Sequence, residues 1–236
     1  LYRVDLNSPP IGAIRTMDQL IATLKRKAAA TPVEEWVVGW GYDDTLLAES
    51  RHPTRDDLDR VSTRHPVWIV HISGHLAVAN SRALEMAGVT RTTQQPRGGR
   101  IRVEALPGEP NGVCEEAARS LVSRHIPAYT AEQRQAAIRQ AQASYLAKGV
   151  TTTVIAGASL QTLQDLDAAV ASSTLRLRIS ALLAPSLDGI APALRAPPER
   201  IHVTGVKLLQ DGSIQGYTGF LGAPYYRQPE GKQDYR

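Results

Sequence analysis

The sequence predicts an α/β protein built around parallel sheet, and three observations carry that reading. Val67-Trp68-Ile69-Val70-His71-Ile72 is apolar throughout except for one histidine, the pattern of a strand buried on both faces. Strand-like segments recur at Val150 to Ala156, Leu175 to Leu183 and His202 to Leu209, with helical stretches at Leu160 to Ala171 and Ile190 to Leu194 between them. The chain has 236 residues, 42% of them hydrophobic, enough to build the core of one large domain or two small ones. A doubly wound sheet and part of a (β/α)8 barrel both satisfy this alternation. No internal repeat or glycine-rich phosphate fingerprint is present, which weakens the nucleotide-binding version.

In chain order, Thr16-Met17-Asp18-Gln19 reads as a capping box opening a helix with Met17, Leu20, Ile21, Leu24 and Ala28 on one face. Trp36 to Trp40 is a short strand running into the turn Gly41-Tyr42-Asp43-Asp44, and Thr54-Arg55-Asp56-Asp57 starts a brief helix. After the apolar strand and Ser73-Gly74-His75, a helix is expected to carry Val78, Leu84 and Met86 and to end at Gly88. Thr90 to Pro110 is rich in Gly, Pro, Arg and Gln around Ile101-Arg102-Val103, which suggests a surface hairpin or a mobile flap. Glu115 to Ser123 is expected to be helical. A second capping box, Thr130-Ala131-Glu132-Gln133, opens a long helix ended by Lys148-Gly149.

Composition excludes several classes. Lys+Arg of 27 against Asp+Glu of 23 gives +4 with no basic block and few aromatics, so nucleic-acid binding is not expected. No apolar run is long enough for a membrane span. The single cysteine, Cys114, rules out an internal disulfide framework and a cysteine-based zinc cluster, and fits a cytoplasmic setting without requiring one. The first residues show neither methionine nor a signal pattern, so the chain reads as an internal piece and export stays open.

The chemistry centres on Val203 to Ser213. With period two, Lys207 shares a face with Val203, Gly205 and Leu209. Two readings are open. A buried lysine loses its charge readily and serves as base, Schiff-base nucleophile or carbamate; alternatively, its stem packs and its ammonium reaches water. His75, in a Gly-His turn, suits a contact to a substrate carbonyl or oxyanion, or else a bond to local backbone. Trp40 and Asp43 are candidate pocket residues or core, and Asp211 a substrate contact or ordinary Asp-Gly turn chemistry. His71 reads as a strand histidine with its bonds satisfied, and His52, His65, His125 and His202 have no motif around them.

Five blocks in order resemble the amidohydrolase superfamily, specifically the amidohydrolase-3 branch that includes N-substituted formamide deformylase-like and exoenzyme regulatory protein-like members. They are Trp40-Gly41-Tyr42-Asp43, Pro53 to Asp59, Gly74-His75-Leu76-Ala77-Val78-Ala79-Asn80-Ser81, Gly149-Val150-Thr151-Thr152-Thr153-Val154, and Val206-Lys207-Leu208-Leu209-Gln210-Asp211-Gly212-Ser213-Ile214-Gln215-Gly216-Tyr217-Thr218-Gly219. The resemblance implies a metal-dependent hydrolase of amide, formamide or cyclic amide C–N bonds on a TIM barrel. It makes residues 1–127 an inserted α/β lobe and 128–236 a partial barrel holding strands two to four. Carried over, Lys207 is a metal ligand as its carbamate in a binuclear divalent site, zinc by preference, and His75 touches the carbonyl or oxyanion, with Trp40, Asp43 and Asp211 toward a small amide-type substrate.

The family's His-x-His pair is missing from the chain, Ser73 stands where an aspartate is usual, and Val154-Ile155-Ala156 replaces a polar continuation. The residues are therefore expected to lack a complete site and activity, and, with sheet edges open, to form homo-oligomers. A catalytically silent regulatory protein on the same fold is the alternative.

Overall fold

The computed structural model describes residues 2–104, 108–184 and 193–226. It divides into two units, one made of Tyr2–Pro127 with Asp211–Arg236 and the other of Ala128–Gln210.

In the first unit, Thr16 caps α1 (Met17–Ala29) by accepting the Gln19 amide, and Met17, Leu20, Ile21, Leu24 and Ala28 are its buried face. Strands β1 (Val4–Asp5), β2 (Val37–Tyr42) and β3 (Val67–His71) run parallel, and every residue of β3 is buried. Between β2 and β3, α2 (Arg55–Asp59) opens on a complete Thr54/Asp57 capping box.

Here the sheet departs from the sequence reading. Leu76–Ala79, expected at a helix start, is a strand, β4, pairing antiparallel with β3. All four of its side chains are buried, so the segment satisfies two faces, which a one-sided helix would not. Gly74, at φ 76° in the left-handed region, turns the chain back between them. Helix α3 (Ser81–Met86) begins only after Asn80, whose side chain accepts the Ala83 amide. Strands β5 (Gly99–Val103) and β6 (Pro110–Glu116) form the expected hairpin, but β6 takes over the first residues assigned to a helix, leaving α4 as Arg119–Ser123. The sheet order is β1-β2-β3-β4-β6-β5, with parallel pairing on one side of β3 and antiparallel pairing on the other.

The second unit starts with α5 (Ala131–Leu146), opened by the Thr130/Gln133 box. Strands β7 (Thr152–Ala158), β8 (Arg178–Leu183) and β9 (Ile201–Val206) form a parallel sheet in chain order, with α6 (Leu160–Ala171) between the first two. Ile179, Ala181, Leu183 and Ile201 pack with Leu163 and Leu166 of α6 in one core. The helix expected at Ile190 to Leu194 begins outside the described residues. No helix among the described residues is long and apolar enough to cross a membrane.

Candidate functional site

In the second unit, Lys207 follows directly on β9, and its amide donates to Leu183 O at 2.8 Å. Register decides where it points. Ala181 pairs with Val203, but Leu182 pairs with Gly205, so Thr204 is an extra residue and the alternation shifts by one. Paired residues share a face, so Gly205, and Lys207 two positions on, fall on the Leu182 side rather than with Ala181 and Val203 on the helix-packed side. The exposed Lys207 thus does not share the Val203 face that uninterrupted alternation assigns it. A second bulge, between Ala156 and Ala158, puts Gly157 alongside; a Cβ there would lie 3.9 Å from the lysine stem. Within residues 128–210 the one histidine is His202, near the opposite end of β9.

The first unit gathers the other candidates. His75 sits where the Gly74 turn enters β4, its amide donating to Ser73 Oγ at 3.1 Å and its carbonyl accepting the Glu116 amide at 2.8 Å. Its Nδ1 is 2.9 Å from both carboxylate oxygens of Glu116. Glu116 holds φ 48°, a left-handed conformation rare for a residue with a side chain, at the point where β6 ends. Thr218 Oγ1 donates to Glu116 Oε1 at 2.5 Å, and the Arg119 guanidinium donates to Gly74 O. Burial lowers the Arg119 pKa, while the Glu116 charge opposes that shift. Trp40 stands next to this turn, since a Cβ on Gly74 would be 3.6 Å from its ring, and the Arg3 guanidinium lies 5.6 Å from the Trp40 ring centroid.

A carboxylate and imidazole cluster lies where β2 and β3 end. Asp43 is buried; its Oδ1 accepts from Thr45 N and Oγ1, and its Oδ2 from Gln215 Nε2 at 2.7 Å. Asp44 Oδ1 is 3.0 Å from His71 Nε2 and 3.6 Å from His52 Nδ1. The Tyr42 hydroxyl stands 3.3 Å from that His52 nitrogen. Burial pushes the His52 imidazole down to about 4, against the pull of Asp44, so the ring is neutral near pH 7. Burial raises the Asp44 carboxyl, but the His71 contact and the His52 charge together bring it below its ordinary value.

Of the residues singled out in the sequence, His75 and Trp40 meet at the Gly74 turn. Asp43 lies in the buried cluster. Asp211 accepts the Phe220 amide at 2.9 Å, which is local turn chemistry. The Asp211 to Gly219 segment belongs to the unit of His75 rather than that of Lys207. There Gly216 allows close packing, since a Cβ on it would fall 2.4 Å from Leu76 Cδ1. Sequence reasoning missed Glu116, Thr218, Gln215 and Asp44. Glu116 sits in a stretch read as helix, and the other three carry no spacing signal.

Residues 2–236 match the model of the amidohydrolase family. An N-substituted formamide deformylase of Arthrobacter pascens is 34% identical over 119 residues, covering 50% of this chain and 21% of that protein. The protein YtcJ of Bacillus subtilis (strain 168) is 25% identical over 225 residues, 93% of this chain and 42% of its own length. The chain thus spans less than half of these relatives. Among solved structures, a metal-dependent hydrolase of Pyrococcus horikoshii OT3 superposes with a TM-score of 0.59 at 24% identity, over 95% of this chain and 42% of that one, a likeness in mixed α/β fold. With the family match running over nearly its whole length, the chain belongs to the amidohydrolase family.

Proposed function

We propose that this chain is part of a metal-dependent hydrolase that cleaves the C–N bond of an amide, formamide or cyclic amide. On this reading Ala128–Gln210 is a stretch of a TIM barrel and Tyr2–Pro127 a lobe inserted into it. The single observation that carries it is the bulge at Thr204, which sets Lys207 beyond the end of a parallel strand on the side away from the helices. In a (β/α)8 barrel that is the catalytic end and the inward face.

Lys207 fits a metal-bridging role on its surroundings. Its stem has the open space beside Gly157, and its amine is exposed to dissolved carbon dioxide. Addition of the neutral Nζ to carbon dioxide, with loss of one proton, gives an anionic carbamate with two oxygen donors. A bound pair of divalent ions, zinc by preference, would supply Lewis acidity and an activated water there. The remaining imidazole ligands are not in this stretch, since its one histidine, His202, lies toward the other end of β9. Residues 1–236 alone are therefore expected to turn over no substrate.

His75 is the residue of the lobe suited to touch substrate. Glu116 holds its Nδ1, which fixes the proton there and leaves Nε2 as the nitrogen able to act on substrate. Trp40 offers an apolar wall beside it. A small amide-type substrate, a cytoplasmic setting and self-association through the open edges of β7 and β9 complete the proposal.

A catalytically silent regulatory protein is the second reading, favoured by the apolar Val154-Ile155-Ala156 on β7. Metal content and formamide turnover of the full-length protein, measured beside Lys207→Ala, separate the two. Loss of both metal and turnover in the variant supports the hydrolase. A metal-free protein in which the substitution alters only stability supports the regulator.

A further inference from the structure

We infer that the first unit holds a divalent transition-metal site of its own, of the zinc class, at Asp43, Asp44 and His71, separate from any metal at Lys207. These three residues bring ligand atoms within 4.8 Å of one another. They come from two elements that the fold clamps together, the end of β3 and the turn that follows β2. The donor set, two carboxylates and one imidazole, suits zinc and its neighbours rather than calcium or magnesium.

His71 makes this more than an acidic cluster. The side chain is fully buried, and its Nε2 has no hydrogen-bond partner among the described residues. The same holds for Asp44 Oδ1, although the two atoms stand 3.0 Å apart. Two buried polar atoms this close without a well-aligned bond are costly unless something else joins them. A cation between them does so. His52 Nδ1, 3.6 Å from the same carboxylate oxygen, is the next imidazole in reach.

The outer partners fit as well. His71 Nδ1 accepts the Ser73 amide at 3.2 Å, which leaves the ring proton on Nε2, and Ser73 Oγ lies 2.8 Å from the same Nδ1; with metal on Nε2 the proton moves to Nδ1 and is donated to that hydroxyl, the amide bond giving way. Asp43 is steadied by Thr45 on Oδ1 and by Gln215 on Oδ2, which leaves a lone pair on Oδ2 for the ion. Zinc holds its ligands at about 2.0–2.2 Å, so binding draws the three side chains inward by rotation. The ion would fix the turn after β2 to the end of β3, three residues before Gly74 in the turn that carries His75.

The test uses the full chain, stripped of metal and titrated with Zn2+ and with Co2+ as a spectroscopic stand-in. One equivalent should bind to the unsubstituted chain and equally to Lys207→Ala, with Co2+ visible bands typical of nitrogen and oxygen ligation. Affinity should fall on the order of 100-fold in His71→Gln and in Asp44→Asn. Asp44 is partly exposed, so its amide variant keeps the fold if the histidine variant does not. In the unsubstituted chain, imidazole 15N resonances should report a change of His71 from the Nε2–H to the Nδ1–H tautomer on adding Zn2+. Absence of binding, binding lost in Lys207→Ala, unchanged affinity in His71→Gln or Asp44→Asn, or an unchanged tautomer would each overturn the assignment.

Discussion

His75 and Glu116 form a forked pair, with one imidazole nitrogen 2.9 Å from both oxygens of one carboxylate. The backbone holds the same two residues, through the Glu116 amide on His75 O. In the full-length protein, His75→Gln should lower kcat/KM on the order of 100-fold, the loss typical of one oxyanion or carbonyl donor. Glu116→Gln should lower kcat about tenfold, within the range set by loss of one orienting hydrogen bond, and release the His75 tautomer in 15N spectra. Equal KM and kcat in both variants would remove His75 from the site.

Asn80 is fully buried and makes four bonds, accepting the Val67 and Ala83 amides and donating to Ser62 O and His65 O. Asn80→Ala strands several of these groups at about 1–3 kcal/mol each, so urea denaturation should show the first unit among the most destabilised of any single-site variant.

Asp57 should govern acid sensitivity. Burial raises its carboxyl, but the Arg51 guanidinium and the Thr54 amide outweigh that and hold it below the ordinary value. A carboxylate depressed in the folded state stabilises fully above its unfolded pKa of about 3.9 and loses that contribution as pH falls through the folded value. Asp57→Ala should cost about 1–2 kcal/mol near neutrality and flatten the acid limb of the stability profile. A parallel limb in both proteins would show that other groups control it.

Cys114 is buried, and burial pushes its thiol up to about 12. Iodoacetamide at pH 8 should label it only after denaturant is added. Rapid labelling of the folded chain would mean that β6 opens readily.

Legibility of the fold followed the strength of the local signal. Thr16, Thr54 and Thr130 announced three helix starts because a side chain three residues from its partner leaves a pattern in sequence. The all-buried β3 was equally plain. Leu76–Ala79 was not, because four apolar residues before a cap satisfy a helix or a strand alike, and only the neighbours β3 and β6 decide. Lys207 stood out in the sequence as a candidate, but its direction did not, since an unpaired Thr204 shows only when the strands are laid side by side. Glu116 and Asp44 acquire meaning from partners distant in sequence or from burial, neither of which a motif encodes.

The strand order of the six-stranded sheet also bears on how the chain folds. Strands β3 and β4 are joined by only four residues, Ile72 to His75, whereas β2 and β3 meet across a long connection carrying α2. Loop closure is cheapest where the ends are nearest, and local pairings form early. The hairpin bearing Ser73 and His75 is thus placed to close ahead of its parallel neighbours, giving β2 and β6 an edge on which to add. A change at Gly74 would then register in the rate at which the sheet assembles as well as in the shape of the finished turn.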